Sequence, residues 1–228
     1  MKKIIIFDSS VIINFALNGI LDILEKEKEI FPGKFIITQE IKKEIIDIPL
    51  NNKKYELEAL QIKKLVDNGI FEFPSSIEIK DFEVTKKTKE ILNEVNSIFS
   101  ARNKFIHLIE EGEASCVALS LLCKDKKIEN VVAVDERTMR ILCENPLNLK
   151  KLFEMKLHTN VDMKNNLDKL RSIKCIRSSE LVFIAYKRKL IEIKNNNILD
   201  ALLYAVKFKG TSISESEIME IKKLAKNI

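Results

Sequence analysis

The chain has 228 residues, 46% of them apolar and 32% charged, with a formal net charge of +5. That apolar content supplies a packed core for one domain with embellishments or for two small ones, which excludes a disordered or fibrous class. No stretch approaches the roughly 18 uncharged apolar residues of a membrane span. The amino terminus also lacks the long apolar run of a signal peptide, so the sequence predicts a cytoplasmic protein with no membrane contact.

The four cysteines, Cys116, Cys123, Cys143 and Cys175, form no C-x-x-C pair. With Cys116 and Cys123 seven apart on one helix face, they read as reduced core residues, without zinc or disulfides. The two histidines, His107 and His158, lie far apart and without cysteine neighbours, so a surface or packing role is expected. The basic excess belongs to the last third: from Lys150 onward there are 17 Lys and Arg against 9 Asp and Glu. Its densest piece is AYKRKL, Ala185 to Leu190, which reads either as a solvated helix face or as a track for a polyanion.

In chain order, KIIIFDSSV (Lys3 to Val11) comes first. Its apolar run without helical period predicts a buried parallel strand, and ligands of open α/β sheets collect past the carboxyl ends of such strands. Asp8 stands there. The plainer explanation of any one strand-end Asp is a helix cap.

Ser9 or Ser10 is then expected to cap a helix with apolar positions Ile13, Leu17, Ile20, Leu21 and Leu24, ending in the charged run from Glu25 to Glu29. Pro32 and Gly33 turn the chain into the strand KFIIT (Lys34 to Thr38), completing a βαβ unit. Thr38 caps the next helix, which carries Glu40 in its first turn and Glu44 one turn later. Glu40 has a capping and dipole explanation, and stands as the alternative to Glu44.

From Asn51 to about Lys104 the text changes to a charged helical run, a strand-like NGIFEFP, a second short strand near Ile77 to Lys80 and a Lys/Glu-rich helix from about Thr85. It reads as an insertion or arm without chemistry. In EEGEASCVALSLL (Glu110 to Leu122), Gly112 breaks the preceding helix and Glu113 opens a new one beside small residues that permit close approach to a sheet. ENVVAVDERTMR (Glu129 to Arg140) repeats the opening grammar, a β-branched strand running into Asp135; whether Glu136 beside it assists that acid stands open. A helical extension is expected from about Pro146 to Ser172.

Asp8 in IIIFDSSVIIN, Glu44 in ITQEIKKEI, Glu113 in EGEASCVALS and Asp135 in VVAVDERTMR resemble, in order and context, the four acids of PIN-domain proteins. That family comprises metal-dependent nucleases and includes the toxins of many toxin-antitoxin pairs. IRSSELVFIAYKRKLI (Ile176 to Ile191) looks like the segment after the last family strand, where a hydroxyl, here Ser178 or Ser179, lies near the metals. ILDALLYAVKFKGTSISESEI (Ile198 to Ile218) looks like its closing helices. The resemblance spans roughly three quarters of the chain. It departs in a longer connection from Glu44 to Glu113 and in about 35 extra residues between Asp135 and Ile176, judged against ordinary loop lengths.

The resemblance implies a single domain over 1–228, a three-layer α/β/α sandwich on a mainly parallel sheet with the acids at its carboxyl edge. Asp8, Glu113 and Asp135 would be metal ligands, with Glu44 a further ligand or holder of the attacking water. All-oxygen ligation favours Mg²⁺ or Mn²⁺. Single-stranded RNA is the implied substrate, with Ser9, Arg137, Ser178, Ser179, Lys187, Arg188 and Lys189 on its backbone. An antitoxin and a second copy of the chain are the candidate protein partners, and a toxin and a processing nuclease both stand open.

Two alternatives compete. A haloacid-dehalogenase-type phosphatase wants a second acid two residues after the first, where this chain has Ser10. A catalytically silent PIN-like module that binds RNA or protein would be marked by a missing acid, and all four are present.

Overall fold

The computed structural model describes residues 3–164 and 169–226. The first strand β1 (Lys3–Phe7) feeds helix α1 (Ser9–Leu17), then α2 (Leu21–Ile30) and β2 (Gly33–Ile36). A short helix α3 (Gln39–Lys42) widens into a π turn at Lys43–Asp47, followed by a 3-10 turn, Pro49–Asn51, and α4 (Glu56–Asp67). Next come β3 (Phe71–Glu72), a 3-10 turn at Pro74–Ile77, α5 (Asp81–Val95), the short strands β4 (Phe99–Ala101) and β5 (Lys104–Phe105), and α6 (Glu111–Asp125). The second half holds β6 (Glu129–Ala133), α7 (Arg137–Glu144), α8 (Pro146–Leu157) and β7 (Asp162–Met163). A 3-10 turn at Leu170–Ser172, β8 (Cys175–Ile176), α9 (Ser178–Lys187), α10 (Ile198–Phe208) and α11 (Glu215–Lys226) complete it.

Five strands make one all-parallel sheet in the order β3-β2-β1-β6-β8, flanked by helices as a three-layer α/β/α sandwich. The apolar runs explain it: Ile4, Ile5, Ile6 and Phe7 of β1 are all buried, as a central parallel strand covered on both faces requires. Phe7, Phe35 and Phe71 carry the packing across three strands, with ring centroids 4.8 Å apart for Phe7 and Phe35 and 5.2 Å for Phe7 and Phe71. Because β1 and β6 pair in register from Lys3↔Glu129 to Phe7↔Ala133, they end together. Asp8 and Asp135 therefore leave the same edge of the sheet.

Several expectations change. The single helix from Ser9 is two, because Gly19 adopts φ +66, a left-handed turn that only glycine takes without strain. The buried apolar positions of α1 are Val11, Ile12, Phe15 and Ala16, with Asn14 buried among them, whereas Ile13 and Leu17 face outward. The stretch over 51–104 is not an arm: β3 pairs with β2 as the sheet's edge strand, and α5 lies along α6. Ile77 to Lys80 forms no strand; a 3-10 turn ends at Ile77, Glu78 follows in left-handed conformation, and α5 begins at Asp81.

The extension over 146–172 contains α8 but also β7, and its residues 165–168 lie outside those described. β7 joins β4 and β5 in a second, antiparallel sheet ordered β5-β4-β7, which the sequence did not signal. The cysteines are free, three of them buried. His107 is exposed against Glu110, and His158 is the left-handed cap of α8. Among the described residues no helix is long and apolar enough to cross a membrane.

Candidate active site

Asp8 stops β1 and caps α1. Its Oδ2 accepts from the Ser10 backbone N–H at 3.0 Å and from the Ser10 hydroxyl at 2.5 Å, while its own N–H donates to Ala133 O at 2.9 Å. The other oxygen, Oδ1, is buried with no hydrogen-bond partner. Burial pushes the carboxyl up to about 6 against the opposing Ser10 bonds, and the Glu44 charge adds to the rise.

Glu113 reaches the same place from the first turn of α6. Its Oε2 accepts from the Glu110 N–H at 2.8 Å, so the expected dipole and capping explanation holds for that oxygen. Oε1 is buried and unpartnered. Burial, then the charges of Asp8, Glu136 and Glu44, push this carboxyl up to about 8. Glu44 thus raises the pKa of both Asp8 and Glu113, Asp8 and Glu136 add to the rise at Glu113, and each of these charges is another carboxylate.

Glu44 enters from the π turn, a wide turn frequently found at functional positions. Burial raises its pKa, opposed by hydrogen bonds from the Ser9 hydroxyl and the Gly112 N–H. The approach to Gly112 is close: a Cβ there would stand 2.4 Å from Glu44 Oε1. Thr38 fixes that junction, its hydroxyl 2.7 Å from that of Ser115, which in turn donates to Gly112 O at 2.6 Å. Gly112→Ala is therefore expected to drive the Glu44 carboxylate out of the cluster. The chain should keep its fold while losing most of any cleavage activity, read from a melting curve beside a cleavage assay. Wild-type cleavage would remove Glu44 from the site.

Asp135 is held differently. Its Oδ1 accepts from Ser178 N at 2.9 Å, and its Oδ2 from the Ser178 hydroxyl at 2.6 Å and from Asn14 Nδ2 at 2.9 Å. Its N–H donates to the Ser10 hydroxyl at 3.1 Å, so one serine joins the two strand ends. The Asn14 amide also lies 2.9 Å from Val206 O and 3.0 Å from Thr211 Oγ1. This buried junction ties α1, the end of β6, α9 and α10 together.

The sequence-predicted residues divide accordingly. Asp8, Glu44, Glu113, Asp135, Ser9 and Ser178 come together; Ser179 is buried beside Ser178, its hydroxyl unpartnered. Glu40 is drawn off by the Thr85 hydroxyl at 2.9 Å, which leaves Glu44 as the acid of that segment. Glu136 caps α7 through Met139 N at 2.8 Å, with its charge reaching Glu113. Arg137 is exposed in the first turn of α7. Lys187, Arg188 and Lys189 are exposed at the far end of α9, about 14 Å along the helix from Ser178 by helical rise.

Ser10, Asn14, Gly112 and Thr211 were not anticipated as site residues. The first two had a signal, since Ser10, Asn14 and Asn18 repeat at i, i+4 and i+8 in an otherwise apolar helix, a polar stripe facing something that must satisfy it. Among the described residues no three His, Cys, Asp or Glu side chains already converge as metal ligands. The donor set still fits a hard divalent cation, because two buried carboxylate oxygens lack partners amid like charge and every candidate donor is oxygen. Searches against protein-family models, curated proteins and solved structures find no match.

Proposed function

We propose that the chain is a PIN-like endonuclease that hydrolyses phosphodiester bonds in single-stranded RNA with Mg²⁺ or Mn²⁺. The observation carrying this reading is the pair of buried, unpartnered oxygens, Asp8 Oδ1 and Glu113 Oε1, at the carboxyl edge of a parallel sheet. Ligands there would be Asp8, Glu113 and Asp135. A bound cation would supply an activated water and neutralise charge on the leaving oxygen. Ser178 and Asn14 orient the Asp135 carboxylate, and Ser10 joins the two strand ends. Glu44, which accepts from the Ser9 hydroxyl and the Gly112 N–H, would be the further ligand or the holder of the attacking water.

The test is cleavage of unstructured RNA by the full chain with Mg²⁺ or Mn²⁺, abolished by EDTA. No cleavage of RNA or DNA under several divalent ions, together with no calorimetric metal binding, would overturn the enzyme. A silent RNA-binding module is the second reading, favoured by the three donors that already engage Asp135. It is marked by RNA binding without cleavage.

The distance between the basic cluster and the acids implies a substrate several nucleotides long. Replacing Lys187, Arg188 and Lys189 together by Gln is expected to weaken RNA binding and to flatten its logarithmic salt slope by about 2, given roughly 0.7 per phosphate contact on single strands. An unchanged slope would return the cluster to a solvated helix end.

A further inference from the structure

A groove of about 440 Å³ opens beside the acids, walled by α1, the π turn and α4. Ile13, Leu17, Ile45 and Ile62 give it apolar sides, and the Tyr55 ring stands at its mouth. Glu44 is shared: it lines the groove and belongs to the acid cluster, so whatever fills one space adjoins the other. On the α4 wall Glu58 has a buried oxygen, Oε2, with no hydrogen-bond partner, and no ion pair involving Glu58 occurs among the described residues. The Lys54 ammonium lies 4.9 Å from the Tyr55 ring centroid, while that of neighbouring Lys53 is paired with Glu56 at 2.7 Å.

We propose that this groove is a nucleobase subsite for the RNA residue beside the scissile phosphate, with Glu58 accepting from the base's amino group. It deepens the nuclease reading and rests on it only for the position of that phosphate. An aromatic ring with a cation beside it suits a base entering from a phosphate backbone, since every base offers a flat π face while its phosphate seeks the Lys54 ammonium. The apolar walls suit the faces of the base, and a lone carboxylate oxygen needs a donor. Adenine, cytosine and guanine carry amino donors on the pairing edge; uracil flanks its single N–H with two carbonyl oxygens, which a carboxylate repels. The groove therefore selects against uracil. An apolar peptide would satisfy the walls but leave Glu58 Oε2 without a donor.

The chain contains no tryptophan, so Tyr55→Trp installs a single fluorescent reporter at the mouth. It would be titrated in EDTA with AMP, CMP, GMP, UMP and, as the baseless control, ribose 5-phosphate. AMP, CMP and GMP are expected to quench it, UMP only at about tenfold higher concentration, the scale of one lost base-edge contact. Ribose 5-phosphate should not quench. Adding Glu58→Gln should erase the gap between UMP and the others. The same titrations on the unaltered chain, followed by saturation-transfer NMR of the base protons, give the answer if the tryptophan variant fails to fold.

Equal response to ribose 5-phosphate, equal response to all four nucleotides, or no response overturns the subsite. So does a groove occupied by a second copy, detected as a dimer that Leu17→Lys dissociates. Because no cleavage is involved, a chain that cuts RNA but takes no base keeps the enzyme and loses the subsite. A chain that takes bases but cuts nothing does the reverse.

Discussion

Glu113→Gln is expected to raise the melting temperature of the metal-free protein at pH 8 while cleavage falls by at least about 100-fold, the scale of removing one preorganised group from a charged reaction. The carboxyl is held up near 8, against 4.5 for the free side chain, mainly by burial and then by Asp8, Glu136 and Glu44. A folded pKa above the unfolded one means that ionisation is penalised only in the folded state. Stability is then full below about 4.5, falls as pH rises, and the loss is complete above about 8. A neutral amide avoids it.

Allowing for partial solvent screening, the gain at pH 8 is on the order of 2 kcal/mol, or about 4–8 °C for a chain of this size. It should vanish at pH 4. Glu27 contributes a parallel loss, because burial alone pushes it up to about 8 with both oxygens unpartnered, so Glu27→Gln serves as the control that stabilises without touching cleavage. Lower stability of Glu113→Gln at pH 8, or undiminished cleavage, would return Glu113 to a capping residue.

The opposite sign is expected at the end of β6. Asp135 accepts three hydrogen bonds, and Asn14 spans Asp135, Val206 and Thr211 inside the core. Asp135→Asn sets an amide N–H₂ against the Ser178 and Asn14 donors, and Asn14→Ala leaves buried acceptors without a donor. Each should cost roughly 3 kcal/mol, lowering the melting temperature by about 6–12 °C, with cleavage lost as well. Asp135→Asn thus loses both properties, whereas Glu113→Gln trades one for the other. Melting curves in EDTA beside one cleavage assay in Mn²⁺ separate the two acids. A stable, inactive Asp135→Asn would mean that the Asn14 junction contributes little to the fold.

These two acids also mark how far the sequence could be read. Asp135 was visible as a carboxylate ending an apolar strand and Glu113 as an acid opening a helix beside small residues, and the parallel sheet followed from the apolar runs, because period and burial are local properties. That Asp135 would be saturated by Ser178 and Asn14, while Glu113 keeps one oxygen unpartnered, depends on partners 43 and 121 residues away from Asp135. Local pattern carries no such distance. The strand expected at Ile77 to Lys80 failed for a related reason, since its apolar residues pack as a turn against the core. β4, β5 and β7 escaped notice because strands of two or three residues hold too few positions to show alternation.

The Asn14 junction also orders events in time. Its members come from residue 14, residue 135 and residues 206 and 211, so it cannot close on a growing chain until Thr211 has left the ribosome. At roughly 5–20 residues per second, the 197 residues that separate Asn14 from Thr211 take some 10–40 s to be made. Throughout that interval the Asn14 amide, which also holds Asp135, lacks one of its acceptors. A polar junction deep in the core is thus closed by a residue made long after the first of its members.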